Sequence, residues 1–561
     1  MRRLPRALCL AVLLAIPATA TAQQRFDVLI RGGRILDGTG NPWFYGDVGI
    51  TGDRVTAVGN LSQATAARVI DATGRIVTPG FIDIHSHADD SGGGGRSLRS
   101  NDARVRAAPN LVAQGITTVV VNQDGRTALP SVAEQKATYE RLKIGPNALM
   151  LIGHGTVRSR VMGQNTQRAA TAEEIAQMKV LVRQAMQEGA SGMSAGLEYA
   201  PGRWSTTDEV VALAEEIVPF RGVYISHERS EGSDPMWYWP SRDPAGAPSL
   251  LDAVRETIEI GERTGAIVVA SHIKAKGAHY WGSGAAAIQL IEAARARGVS
   301  IYADQYPYET SGTDGSTVLI PDWALSGRAP GETGNDYPAR LQRVIADPRG
   351  NADLRRDITH EISRRGGAAK VVIFDHPDSS YVGKSLADIA ALMRTNPVDA
   401  AINLQLRGYK DRRGGARVRG FSLSELDLDM YAARPWVATA TDGGIALPDD
   451  GAGTHARFYG TFPRKIRYFA LDRGVLSLED AIRSSTSLPA QILGLRDRGI
   501  LRTGSFADVV IFDRATIRDR ATFFEPHQYP EGIDYVMING VLVVDQGRIM
   551  NTLPGRVLTN R

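Results

Sequence analysis

The sequence predicts an α/β fold: a (β/α)8 TIM-type barrel, a small β-sandwich domain formed from both chain ends, and an insertion before the last barrel strand. Three observations lead there. Apolar runs of strand length alternate with helical stretches through the middle of the chain, the signature of βα units around a parallel sheet. Those runs end in polar or ionisable residues, as strands do where they deliver side chains to one rim of a barrel. The two chain ends share a texture of short strands and tight turns that the middle lacks.

At 561 residues the chain exceeds what one hydrophobic core usually supports, so more than one unit is expected. Its net charge of +4 is small for this length, and its arginines are scattered. The locally basic stretches Arg355 to Arg365 and Lys410 to Arg419 lack interleaved aromatics and read as solvated surface. Nucleic-acid binding is therefore not expected.

Residues 1–22 read as a secretory signal peptide. A basic start (Arg2, Arg3, Arg6) precedes an apolar run from Ala7 to Pro17 and an A-x-A site at Ala20-Thr21-Ala22. No other stretch approaches the roughly 18 apolar residues of a membrane span. A periplasmic or secreted protein, off the membrane after cleavage, is the expectation. The single cysteine, Cys9, lies inside the signal, so the mature chain has no disulfide, thiol nucleophile or thiolate ligand.

Residues 23–78 form the first part of the expected β-sandwich, with strands at 26–31, 34–36, 46–51, 54–59, 68–71 and 75–78 and turns at Asp37-Gly38, Gly52-Asp53 and Thr73-Gly74. Residues 491–561 supply the second part, with strands at 507–513 and 535–547 and a hairpin turn at Asn539-Gly540. The barrel is expected over 79–490. Its strands are read at 80–85, 117–122, 148–153, 192–197, 222–227, 266–272, 300–305 and 436–442, with helices at 207–217, 250–265 and 285–298 between them. Residues from about 310 to 430 break the alternation and read as an insertion walling or covering the site. It has one strand-like run at 370–374 and helical patches at 338–345 and 386–395. His360 and His376, within it, read as structural.

The stretch GFIDIHSH (80–87) carries the first chemistry. Side chains two apart on a strand share a face, so His85 and His87 present two imidazoles to one side. Neutral imidazole suits zinc and other divalent ions. His227 and His272 each end a later strand, and Asp442 ends the last. Four histidines and a carboxylate meeting at one barrel mouth would hold a water-binding divalent metal. Asp124, His154, Glu198 and Tyr306 end other strands. His154 reads either as a donor to a bound carbonyl or as packing, and Trp237-Tyr238-Trp239 with Tyr280 and Trp281 either as a pocket for an apolar group or as core.

Further stretches carry a resemblance: QGITTVVV (114–121), GMSAGLEYAPG (192–202), YISHERSEG (224–232), ASHIKAKG (270–277), DQYPY (304–308), GSTVLIP (315–321), ATDGG (440–444) and HARFYGTFPR (455–464). With GFIDIHSH, TSLPAQILGL (486–495) and the tail RGILRTGSFADVVIFD, they resemble the amidohydrolase superfamily, and within it the N-acyl-D-amino-acid deacylases, or D-aminoacylases. The resemblance implies one or two divalent ions, with zinc foremost. His85, His87 and Asp442 would surround one position and His227 and His272 the other, with Asp442 also the general base. The family's cysteine after the second strand, in a context like VVVGNCG, is Asp124 here. A carboxylate keeps the negative charge and bridging ability but is harder than a thiolate. Glu198 is the rival bridge. The resemblance also assigns a substrate's free carboxylate to Lys274, Tyr306, Ser316 and Arg457, although the family's HPR is His455-Ala456-Arg457 here and extra residues separate the YPY and GST stretches.

The implied reaction is hydrolysis of a linear amide beside a free carboxylate, in an N-acyl-D-amino acid or a short peptide with a D residue. Metal hydroxide attacks the carbonyl and Asp442 carries the proton to the amine. A cyclic amide or lactone substrate, or a non-catalytic periplasmic binding protein on the same scaffold, are the alternatives.

Overall fold

Period-two alternation within the apolar runs decides how the middle of the chain packs. In a computed structural model, which describes residues 25–89, 96–328, 332 and 334–559, twenty strands form. They are β1 (Arg25–Ile35), β2 (Phe44–Thr51), β3 (Arg54–Gly59), β4 (Thr65–Asp71), β5 (Ile76–Pro79), β6 (Phe81–Asp83), β7 (Ile116–Val121), β8 (Asn147–Met150), β9 (Ile152–Gly153) and β10 (Gly192–Gly196). There follow β11 (Val223–His227), β12 (Ile267–Ala270), β13 (Ile301–Gln305), β14 (Val371–Asp375), β15 (Arg417–Gly420), β16 (Val437–Thr439), β17 (Val509–Phe512), β18 (Ile533–Ile538), β19 (Val541–Asp545) and β20 (Arg548–Ile549). The signal peptide expected at 1–22 lies outside the described residues.

The central strands pair in parallel, in a three-stranded sheet β6-β7-β8 and a six-stranded sheet β9-β10-β11-β12-β13-β16. The run read as one strand at 148–153 is two, because β8 pairs with β7 and β9 with β10. At the other junction the backbone N–H of Asp442 donates to the His85 carbonyl (2.9 Å) and that of His87 to the Gly443 carbonyl (2.8 Å). Asp83, fully buried, accepts from Thr441 N–H (2.8 Å) and from its hydroxyl (2.6 Å), pinning β6 to the end of β16.

One side of these strands (Ile82, Val120, Leu149, Val223, Ile225, Val269, Ala438) forms an inner apolar cluster. The alternate residues (Phe81, Val119, Ala148, Tyr224, Val268, Val437) pack outward with the helices. The helix Leu250–Thr264 shows how one crossover is delimited. Ser249 and Asp252 form a reciprocal cap at its start, and Gly265, at φ 72°, ends it in a backbone shape that glycine adopts freely.

Both chain ends enter a single nine-stranded sheet in the order β20-β19-β18-β17-β5-β1-β2-β3, with β4 beside β1. The junction is β17 antiparallel to β5, so the strand leading into β6 is zipped to the returning tail.

The segment between β13 and β16 holds more structure than its composition suggests. Its helices Tyr337–Ala346, Pro348–Arg364, Leu386–Leu392 and Pro397–Arg407 and the pair β14-β15 bury a cluster of their own around Leu341, Leu354, Ile358, Ile373, Ile389 and Leu404. Two of its basic stretches are not simple surface. Arg364, Arg365 and Arg419 are buried, and Arg365 is held by Asp314 (2.8 Å) and Glu361 (2.7 Å). His360 pairs with Asp234 (3.1 Å) and His376 accepts the Asp378 N–H (2.9 Å), both structural as expected.

Candidate metal centre and active site

Strand ends bring the expected donors to one place. His85 and His87, just past β6, hold their Nε2 atoms 3.3 Å apart, and His87 Nε2 lies 2.9 Å from Asp442 Oδ1. His227, the last residue of β11, and His272, just past β12, face each other with Nδ1 and Nε2 3.0 Å apart. The Asp124 carboxylate lies between the two pairs. Its Oδ1 is 3.5 Å from His85, 3.8 Å from His227 and 3.7 Å from His272, and its Oδ2 is 3.7 Å from His87. Three overlapping sets have donor atoms mutually within 4.8 Å: His85 with Asp124 and His272, His85 with His87 and Asp442, and His227 with Glu231 and His272.

The backbone at this rim is strained. Asn122, Asp124, His272 and Asp442 have φ of 68°, 56°, 37° and 47°, a region that L residues occupy at a cost of about 1–3 kcal/mol each and that clusters at functional sites.

Partners behind the imidazoles set which nitrogen faces inward. Asp304 accepts the backbone N–H of His272 (2.7 Å) and the Ser271 hydroxyl (2.6 Å). Ser271 has one proton and gives it to Asp304, so its oxygen must accept from His85 Nδ1 (2.6 Å), leaving the Nε2 lone pair of His85 toward the centre. Glu198 accepts from His227 Nε2 (3.1 Å) and from the Met236 N–H (2.7 Å), which turns His227 Nδ1 inward.

Charges are arranged to keep carboxylates ionised. Burial alone would raise Asp124, but His272, His85, His227 and His87 hold it well below the usual carboxylate range. Burial is likewise opposed at Asp442, chiefly by Arg457, whose Nη1 lies 2.8 Å from Oδ2. Burial keeps His85 well below the ordinary imidazole value and hence neutral, as a ligand must be. Asp124 Oδ1 is buried without a hydrogen-bond partner among the described residues. Converging nitrogen and oxygen donors, a neutral imidazole and an orphaned carboxylate oxygen fit zinc or a similar divalent ion.

Next to these donors Lys274, 3% exposed, donates to Glu231 and sits 2.8 Å from His272 Nδ1. Burial works against its ammonium, but Glu231 outweighs it and holds the group above the ordinary lysine value. The Tyr306 ring lies under the Arg457 guanidinium (4.7 Å) and near Lys274 Nζ (5.5 Å), and its buried hydroxyl has no partner among the described residues. Lys274, Glu231 and Arg457 border a cavity of about 140 Å³ that His87, Asp124, His227, His272 and Asp442 also line.

Three expectations are corrected. His154 does not reach this cavity: it starts the helix His154–Met162, fully buried, with Nε2 on Glu209 (2.9 Å) beside Arg158, so it is packing rather than a carbonyl donor. Ser316 is exposed and bonds the Thr313 carbonyl (3.1 Å), while Ser311 and Thr313 line the cavity. Glu198 is no bridge, since both its oxygens are engaged away from the donor centre. Trp237 and Trp239 line a separate cavity of about 480 Å³ with Trp204 and Trp323, while Trp281 donates to the Ser422 carbonyl (2.8 Å) and Tyr280 packs against the core.

Glu231 and Tyr199 went unassigned in the sequence. Glu231 follows His227 by four residues, a carboxylate just past a histidine-ended strand, and that was its one available signal. Tyr199 lies with its ring 4.2 Å from that of His227.

Parallel strands that end in imidazoles and carboxylates around one cavity define a metal-dependent hydrolase of the α/β class. Residues 68–216 and 350–544 match the amidohydrolase family. The chain is 32% identical to a D-aminoacylase of Alcaligenes xylosoxydans xylosoxydans over 95% of its length and 98% of that protein. A D-aminoacylase structure described for its binuclear metal centre superposes with a TM-score of 0.70 at 30% identity, covering 95% of this chain and all of the other. The N-acyl-D-glutamate deacylase of Bordetella bronchiseptica, solved with zinc and a phosphonate mimic of the tetrahedral intermediate, gives 0.70 at 29% identity, with the same coverage. The chain belongs to the amidohydrolase family, in its D-aminoacylase branch.

Proposed function

We propose that the protein hydrolyses N-acyl-D-amino acids, or short peptides with a D residue, at the amide beside a free carboxylate. The observation that carries this is the pairing of a donor cluster with a cationic wall: Lys274 and Arg457 line one cavity with Asp442, and the Tyr306 ring packs under Arg457. A guanidinium matches a carboxylate bidentately, and a cyclic amide offers no carboxylate to match.

His85, His87, Asp124, His227 and His272 would hold one or two divalent ions, zinc foremost. Bound there, such an ion supplies Lewis acidity and water with a pKa near neutrality. Arg457 and Lys274 hold the carboxylate and so fix the amide over the donors. Asp442 takes a proton at Oδ1 and hands it to the departing amine, while Arg457 holds its Oδ2.

The strand order and the Asp442–His85 and His87–Gly443 hydrogen bonds support reading the two parallel sheets as halves of one (β/α)8 barrel over 79–490, with an insertion at about 310–430. The apolar cluster of Ile30, Val48, Val55, Ile70, Val77, Val509 and Met537 supports a β-sandwich from 23–78 and 491–561. No helix among the described residues is long and apolar enough to cross a membrane. Export to the periplasm or medium rests on the sequence of residues 1–22.

The test is amine release from a panel of N-acetyl D- and L-amino acids, with and without chelator, by wild type and by Asp442→Asn. Turnover of D substrates that chelation and the substitution both abolish is expected. Activity indifferent to both overturns the reading.

A further inference from the structure

Asp124 borders two cavities. Besides the central one it lines a second, of about 470 Å³, walled by Gly125 and Arg126 after β7, by Gly155 and Thr156 at the start of the helix His154–Met162, and by the 196–202 turn after β10. In the six-stranded sheet β9 and β10 stand at one end and β12, β13 and β16, after which Lys274, Tyr306 and Arg457 follow, toward the other. For a substrate with its carboxylate on Arg457 and its amide at the donor cluster, the second cavity, which shares Asp124 with the first, offers room for the acyl group. An acetyl group has three heavy atoms, whereas a cavity of this size lies in the range that encloses drug-sized ligands.

The walls set the chemistry. The floor is bare backbone: a Cβ on Gly196 would lie 2.4 Å from the Asp124 carbonyl oxygen, and one on Gly155 3.0 Å from that of Gly125. Asp124, the one carboxylate in the lining, turns to the imidazoles. Arg126 is exposed, and no hydrogen bond or ion pair engages its guanidinium among the described residues. Arg160 meets a carbonyl, that of Leu129 (3.2 Å), and no acid. The end of the groove away from the donors is cationic.

Resting on the N-acyl-D-amino-acid reading above, we propose that this groove is the acyl subsite and that it selects an acyl group bearing its own carboxylate several bonds from the amide, with Arg126 as the specificity residue. Dicarboxylic acyl groups and γ-glutamyl groups share that chemistry.

The test compares kcat/KM for N-acetyl, N-butanoyl, N-succinyl, N-glutaryl and N-γ-glutamyl forms of one D-amino acid at low and high salt. N-succinyl should exceed N-butanoyl, its uncharged counterpart, by about fivefold, the upper end for an exposed ion pair. That margin should shrink with salt and vanish in Arg126→Ala. Ser159→Trp, an exposed position on the same wall, should lower the ratio of succinyl to acetyl turnover. The succinyl and γ-glutamyl arms tell a dicarboxylic from a peptide source. Equal or better turnover of N-butanoyl, or a margin that survives Arg126→Ala, overturns the subsite while leaving the reaction standing. No turnover of any form, acetyl included, overturns the reaction and the subsite with it.

Discussion

Replacing Ser271 by alanine removes one oxygen that orients a candidate ligand without touching the centre. Its Oγ bridges His85 Nδ1 and Asp304 Oδ2 at 2.6 Å each, and all three residues are at most 1% exposed. In Ser271→Ala the His85 N–H and one Asp304 oxygen lose their partners in a dry interior, at about 1–3 kcal/mol for each unmet group. Loss of such an outer partner lowers metal affinity about 10- to 100-fold, or about 1.4–2.7 kcal/mol. Competition for zinc against a chromophoric chelator reads this directly, and thermal melts of metal-free protein read the folding cost separately. Unchanged zinc affinity would refute the reasoning that Ser271 fixes the His85 tautomer.

Other substitutions test other parts of the site. Asp124→Cys should move metal preference from harder ions such as manganese toward zinc, and Asp124→Ala should lower the number of ions bound per chain, both read by elemental analysis. Lys274→Ala should lower kcat/KM about 10- to 100-fold for substrates with a free α-carboxylate, the scale of one charge-assisted contact, with little effect on the corresponding amides, whereas Arg457→Ala should lower it for both because Arg457 also holds Asp442. Lys465 is 1% exposed, and burial alone lowers its pKa to about 8. The unfolded lysine holds its proton to a higher pH, so the penalty is complete below pH 8 and relieved as pH rises toward 10.5. Lys465→Met should stabilise the protein at pH 7 by about 3 kcal/mol, with the gain shrinking above pH 8 in denaturant melts.

Strand ends were legible because two signals agree there. A buried parallel strand must be apolar throughout, so a histidine or aspartate at its close marks the boundary and the chemistry together, as at His227 and Asp442. Side-chain orientation was not legible. His154 closes an apolar run like the others, but that run breaks into β8 and β9, and the histidine enters a helix facing Glu209. Ser316 matched a motif, but a short turn over Thr313–Ser316 leaves it exposed while Ser311 and Thr313 line the cavity. In the insertion, Leu354, Ile358 and Ile362 lie on one face of the helix Pro348–Arg364, but surrounding charges hid the period. The sequence of β15 looked like surface because Arg417 and Arg419 dominate it, although Val418 and Arg419 are buried.

Catalysis here depends on ion binding by groups drawn from the ends of β6, β7, β11, β12 and β16. The most direct measurement is elemental analysis with X-ray absorption on the purified protein, for wild type and for the His85→Asn and His227→Asn variants. One or two divalent ions per chain, in a shell of nitrogen and oxygen only, each variant losing an ion and activity together, is the predicted result. A fully active protein that contains no metal, or one that keeps its ions in both variants, contradicts it.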